Sequence, residues 1–145
     1  MPVCFQLVVD CSDADRLARF WADALHYELA PAPAGFDTWQ AFYRHLGLAD
    51  DEIVEGADRI SDPDGGGPRI WFHVVDEPKV VKNRLHLDIH ASGSRPLAER
   101  RQRVDEEAAR LVGLGASTTG PLSRDDLDHY AVGMQDPEGN EFDIN

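Results

Sequence analysis

The chain has 145 residues, enough to bury one substantial hydrophobic core and too few for two ordinary ones, so a single domain is expected. Hydrophobic residues make up 42% of it, with three Trp and six Phe, which argues against global disorder. The formal charge of −13, with no concentrated basic patch, argues against nucleic acid and acidic membrane surfaces as partners.

The start, Met1-Pro2-Val3-Cys4-Phe5-Gln6, lacks a basic segment followed by an apolar one, and no apolar run approaches the about 20 residues of a membrane span. Neither secretion nor membrane insertion is expected, and a reduced, cytoplasmic location fits. Val3 to Asp10 is rich in β-favouring residues and stops at the turn chemistry of Cys11-Ser12-Asp13, which predicts a first strand. Cys4 and Cys11 on one strand and its following turn are held too far apart to pair, and Cys4 is expected to be a buried small apolar residue. From Asp13 the apolar Leu17, Phe20, Trp21, Ala24 and Leu25 recur with helical spacing, predicting a helix capped by Ser12 and ended before Pro31. His26 to Ala30 then reads as a short strand and Pro31 to Gly35 as a loop.

Trp39, Phe42, Tyr43 and Leu46 again follow helical spacing and predict a short extra helix, followed by the acidic surface stretch Ala49 to Glu55. These aromatics either pack in the core or line the mouth of a pocket. Ile53 to Ser61 reads as a strand, Asp62 to Pro68 as a tight turn, and Arg69 to Val75 as another strand. Gly65-Gly66-Gly67 belongs to that turn; no helix or Lys-Ser/Thr pair follows to make it a phosphate cradle. After a link from Asp76 to Asn83 the same order restarts. Arg84 to Ala91 is a strand, and Ser94-Arg95-Pro96 opens a helix with Val104, Ala108, Leu111 and Val112 as its inner stripe and Gly113 and Gly115 at its end. Ala116 to Thr119, His129 to Gln135 and Glu141 to Asn145 are strands, the last preceded by an Asp136-Pro137-Glu138-Gly139-Asn140 turn. Strand, helix and three strands thus occur twice, which predicts an internal duplication.

The segment Asn83 to Ile89, the stretch Asp136 to Phe142 and the opening Asp10-Cys11-Ser12-Asp13 to Phe20-Trp21 resemble the glyoxalase-like and bleomycin-resistance-type branch of the vicinal-oxygen-chelate superfamily. These landmarks follow the family's order along nearly the whole chain. The resemblance implies an α+β fold of paired βαβββ modules with a cup-shaped, antiparallel-rich mixed sheet. One domain would span 1–145, with module one about 1–78 and module two about 84–145. The stretch from Trp39 to Arg59 departs from the minimal module, so pocket features built there are not inherited from relatives.

In the strand around His86, Leu85, Leu87 and Ile89 share one face and His86, Asp88 and His90 the other. The apolar set is expected to face the helix. The polar set reads equally as a solvated face or as a pocket wall, and the family's cup favours the pocket. Gln6 and Asp10 flank Val8 in the first strand in the same way, and Glu141, Asp143 and Asn145 share a face of the last.

Carrying over the family's ligand positions gives Gln6, His73, His86 and Asp143 as metal ligands, with Gln6 equivalent to His86 and His73 to Asp143. Imidazole, carboxylate and amide oxygen together suit a divalent ion such as Zn, Ni, Fe, Mn or Mg and leave positions for water or a chelating substrate. Such an ion would act as a Lewis acid on neighbouring substrate oxygens. Asp10, Asp88 and Glu141 are candidate general bases or anchors, against the plain alternative of solvated carboxylates on an acidic protein. His73, between Phe72 and Val74, is equally a ligand or a histidine of the core or outer face. Three functions remain open: a metal-assisted lyase or isomerase acting on a small molecule, a metal-free protein that sequesters a drug or metabolite, and a regulatory or structural domain used by a larger assembly. An isologous homodimer is expected.

Overall fold

Strand β1 (Gln6–Cys11) starts three residues later than its composition suggests. Its one sheet neighbour is strand β4 (Arg69–Val74), paired in parallel from Gln6↔Arg69 onward. β4 cannot extend toward the residues before Gln6 because Pro68 has no amide hydrogen to give. The first five residues are therefore exposed, Cys4 among them, while Cys11 is buried, which corrects the expectation for Cys4.

The structure is a computed structural model that describes residues 1–124 and 126–145. It divides into two units, Met1–Pro78 and Lys79–Asn145. In the first, helix α1 (Ala14–Leu25) is capped by Asp13 rather than Ser12. Asp13 has the extended backbone of a cap, and its Oδ1 accepts from the Arg16 amide at 3.0 Å. His26 ends the helix in the left-handed region, φ 56°. Strand β2 (Glu28–Leu29), helix α2 (Trp39–His45), a 3-10 turn at Asp50–Glu52 and strand β3 (Arg59–Ser61) follow. β3 is shorter than expected because Ile53 closes the 3-10 turn and Gly56, at φ 80°, turns the chain out of extended geometry.

The sheet order is β1-β4-β3-β2, antiparallel except for β1 and β4. Leu17, Phe20 and Trp21 of α1 are buried, as are Ile60 of β3 and Ile70 and Phe72 of β4. Phe20 and Trp21 meet edge to face at 5.3 Å. Burial alone makes Phe72 worth about 1.5–3 kcal/mol.

The second unit repeats the plan. Its sheet order is β5-β8-β7-β6, with β5 (Asp88–Ile89) parallel to β8 (Glu141–Ile144) and antiparallel pairing elsewhere. β7 is His129–Gln135. β6 (Ser117–Arg124) runs five residues past the expected end, with a register shift between Thr118 and Gly120. Helix α3 (Leu97–Leu114) ends at Gly115 in the left-handed region, φ 115°, and Gly113 lies inside the helix rather than ending it. Val104, Ala108 and Leu111 are buried with Met134, Phe142 and Ile144, whereas Val112 is 45% exposed and stands off the expected stripe.

β5 is only two residues long, and five residues ahead of it the Asn83 amide donates to the Glu141 side chain, 2.9 Å. Leu85 is 87% exposed and does not share the half-buried face of Leu87 and Ile89. The Asp136 turn owes its composition to one buried carboxylate. Asp136 Oδ1 accepts from the Glu138 and Asn140 amides, both 2.9 Å, and Oδ2 from Asn140 Nδ2 at 2.9 Å, while Gly139 takes φ 84°. That motif launches β8 and so aims Asp143.

Candidate metal-binding site

Parallel pairing sets Asp88 of β5 directly beside Asp143 of β8. Phe142 and Ile144 are buried, so the alternation of a strand turns Glu141, Asp143 and Asn145 to the opposite face. His86, Asp88 and His90 occupy that face on the other chain segment. His86 Nε2 lies 3.5 Å from Asp88 Oδ1 and 3.5 Å from Asp143 Oδ2. One ligand atom from each of the three residues falls within 4.8 Å of the other two.

Two ligands about 2.1 Å from one ion at tetrahedral or octahedral angles lie about 3.0–3.4 Å apart, and the two distances from His86 Nε2 to the carboxylates, both 3.5 Å, are close to that. The charge balance points the same way. Two carboxylates opposed across a strand pair repel, and a cation between them removes that cost. On the adjoining strand Gly133 of β7 pairs with Asp143, and the space a Cβ would need there is taken by the Thr119 side chain, whose Oγ1 would lie 2.4 Å from it, with Asp143 Oδ1 at 3.7 Å.

Glu141 is engaged elsewhere. Its carboxylate accepts from the Asn83 amide and lies 3.0 Å from Lys79 Nζ. The Asn83 hydrogen bond, reinforced by Lys79, holds this carboxyl down at about 2. A carboxylate so stabilised is a weak base at neutral pH, and its geometry suits an anchor for the 79–83 segment.

In the first unit Gln6 lies at the exposed start of β1, opposite Arg69. His73 is exposed on β4 opposite Asp10, with His73 Nδ1 3.3 Å from Asp10 Oδ1 and the Trp71 ring 4.8 Å from the imidazole. Gln6 and His73 are therefore four register positions apart, whereas His86 and Asp143 are two. The expected double equivalence of Gln6 with His86 and His73 with Asp143 fails by two residues: aligning Gln6 with His86 puts Trp71, not His73, at the position of Asp143.

The extra segment builds a second cluster in this unit. Arg59 stacks over Trp39 at 4.3 Å, Trp71 at 5.3 Å and Tyr43 at 5.7 Å. Its Nη2 donates to the Tyr43 hydroxyl at 2.6 Å, that hydroxyl donates to Asp58 Oδ2 at 3.2 Å, and Arg59 Nε lies 3.5 Å from Asp58 Oδ1. Burial, with Asp58 alongside, pushes the Tyr43 hydroxyl up to about 12. Trp39 and Tyr43 thus pack around a cation rather than in a purely apolar core.

Sequence reasoning placed Asp88 as a candidate base or anchor and did not group it with His86 and Asp143. The spacing His-x-Asp on an alternating strand held the signal, since both side chains share a face; the parallel partner that adds Asp143 is a long-range feature.

Fold and site together define a duplicated βαβββ protein with a histidine and two aspartates able to chelate a divalent ion. Residues 6–145 match the glyoxalase-like domain family, and the chain belongs to that family and so to the vicinal-oxygen-chelate superfamily. A search of curated proteins finds no match.

Solved structures are similar in fold. A glyoxalase/bleomycin resistance protein/dioxygenase family enzyme from Burkholderia phytofirmans PsJN has a TM-score of 0.59 and 14% identity, covering 97% of this chain and 94% of that one. The fosfomycin resistance protein FosX from Listeria monocytogenes gives 0.62 and 11%, covering 100% and 91%. TioX from Micromonospora sp. ML1 gives 0.52 and 16%, covering 99% and 97%. Among the described residues no helix is long and apolar enough to cross a membrane.

Proposed function

We propose that the chain is a metal-assisted enzyme of lyase or isomerase type acting on a small molecule with neighbouring oxygens, its ion held by His86, Asp88 and Asp143. The observation that carries this reading is the convergence of one imidazole nitrogen and two carboxylate oxygens within 4.8 Å. That donor set suits Zn, Fe, Ni or Mn, since imidazole favours the first three and carboxylate the last. When bound, the ion supplies Lewis-acid polarisation of substrate oxygens.

The chain's own part is to fix the donors. β5 and β8 present Asp88 and Asp143 from a backbone ladder, and His86 reaches both from the segment just ahead of β5. Asp10 is engaged with His73 and Glu141 with Lys79 and Asn83, so neither is assigned a proton-transfer role.

The proposal is tested by metal analysis of protein purified without a histidine tag. Near-stoichiometric divalent metal that is lost in His86→Ala supports it. Absence of metal, with no uptake from added Zn or Mn, favours a metal-free protein that binds a drug or metabolite. A cytoplasmic location and an isologous homodimer belong to the same proposal, and sedimentation showing only monomer at micromolar concentration would count against the dimer.

A further inference from the structure

The same face of the second unit carries two residues that touch none of the three donors' binding atoms yet fix one donor's orientation. The parallel ladder runs on past the ends of β5 and β8: the Asn145 amide donates to the Ile89 carbonyl at 2.9 Å, and the Asn145 carbonyl accepts from the Ala91 amide at 2.7 Å. Asn145 is thereby held opposite His90 by its backbone, and its side chain stands on the face of Asp88 and Asp143. Its Oδ1 is hydrogen-bonded to His90 Nδ1, and its Nδ2 donates to Asp88 Oδ2 at 3.4 Å. An amide oxygen has no hydrogen to give, so His90 Nδ1 is the donor in that bond. The Asp88 carboxylate only accepts, so the NH2 group faces it, and the His90 Nδ1–H bond to the amide oxygen on the other side holds the amide in that orientation. With Oδ2 taken by Asn145, Asp88 is left with Oδ1 on the side of His86 Nε2.

From this geometry we infer that Asn145, oriented by His90, is a positioning residue that presents Asp88 to the ion through a single oxygen. The inference rests on the metal reading above. Partners of this kind typically change metal affinity about 10–100-fold when removed, because the donor they orient must otherwise be ordered at the moment of binding.

The test uses the whole chain stripped of metal, with Zn²⁺ affinity measured by competition against a chromophoric chelator and donor geometry by the visible absorption of the Co²⁺-loaded protein. Asn145→Ala and His90→Ala are expected to weaken Zn²⁺ binding by about 10–100-fold and to alter the Co²⁺ bands. His90→Asn, whose amide nitrogen can occupy the position of Nδ1, is expected to restore both to near wild type. The metal-free melting points of the variants, measured alongside, separate loss of orientation from loss of fold. Unchanged affinity and spectrum in Asn145→Ala and His90→Ala, with binding abolished by His86→Ala, would overturn the positioning role and leave the metal site standing. Wild-type protein that takes up neither Zn²⁺ nor Co²⁺, or His86→Ala that binds as well as wild type, would overturn both.

Discussion

Asp88 and Asp143 stand side by side on paired strands, and a single imidazole nitrogen, His86 Nε2, is 3.5 Å from an oxygen of each. A like-charged pair in this position opposes pairing of its own strands by about 0.2–1 kcal/mol. Asp143→Asn should therefore stabilise the metal-free protein by about that amount while abolishing the rise in melting temperature on adding Zn²⁺. Thermal unfolding of both proteins with Zn²⁺ and with a chelator checks this. A variant that keeps the full Zn²⁺ response would show that Asp143 is no ligand.

The Glu141 carboxyl, ordinarily near 4.5, is held at about 2 in the folded chain. Because the folded value lies below the unfolded one, its contribution to stability is complete above pH 4.5 and is lost as the pH falls toward 2. Glu141→Gln should melt lower than wild type at pH 7, and the gap should close between pH 4.5 and 2. A gap that persists at the acid end would assign the contribution to packing instead of charge.

Gly56 tests how the extra segment is attached within the first unit. Its φ is 80°, and a Cβ there would fall 2.4 Å from Asp15 Oδ1, the atom that accepts from the Ala57 amide at 2.7 Å. Gly56→Ala should cost about 1–2 kcal/mol from the left-handed backbone alone, more with displacement of Asp15, read by denaturant unfolding.

Much of this was legible in the sequence, and the limits have physical causes. α1 and α3 announced themselves by periodicity, and the duplicated order of elements gave both sheets. One strand end was misjudged where a proline ended the partner, as Pro68 does for β4. In the site, His86 and Asp143 were readable from the family's positions. The pairing of Gln6 with His73 was not, because a register is set by the neighbouring strand and a shift of two residues leaves every side chain on its expected face. Asp88 joined the candidate cluster only when β8 was laid beside β5.

The Arg59 cluster gives a stability prediction separate from the metal. Asp58 is 5% exposed, and Arg59 is the cation beside it. Arg59→Ala should cost about 3 kcal/mol or more by leaving a buried carboxylate uncompensated, and Asp58→Ala in that background should recover part of the loss. Equilibrium unfolding of the two variants checks it. A single variant as stable as wild type would show that Tyr43 suffices.

The most direct measurement of the central claim is anomalous diffraction from a crystal of the chain loaded with Co²⁺. The account predicts a peak among His86 Nε2, Asp88 Oδ1 and Asp143 Oδ2, absent from a matched crystal of His86→Ala. A peak at some other group of residues, or none in the wild-type crystal at saturating Co²⁺, would contradict it.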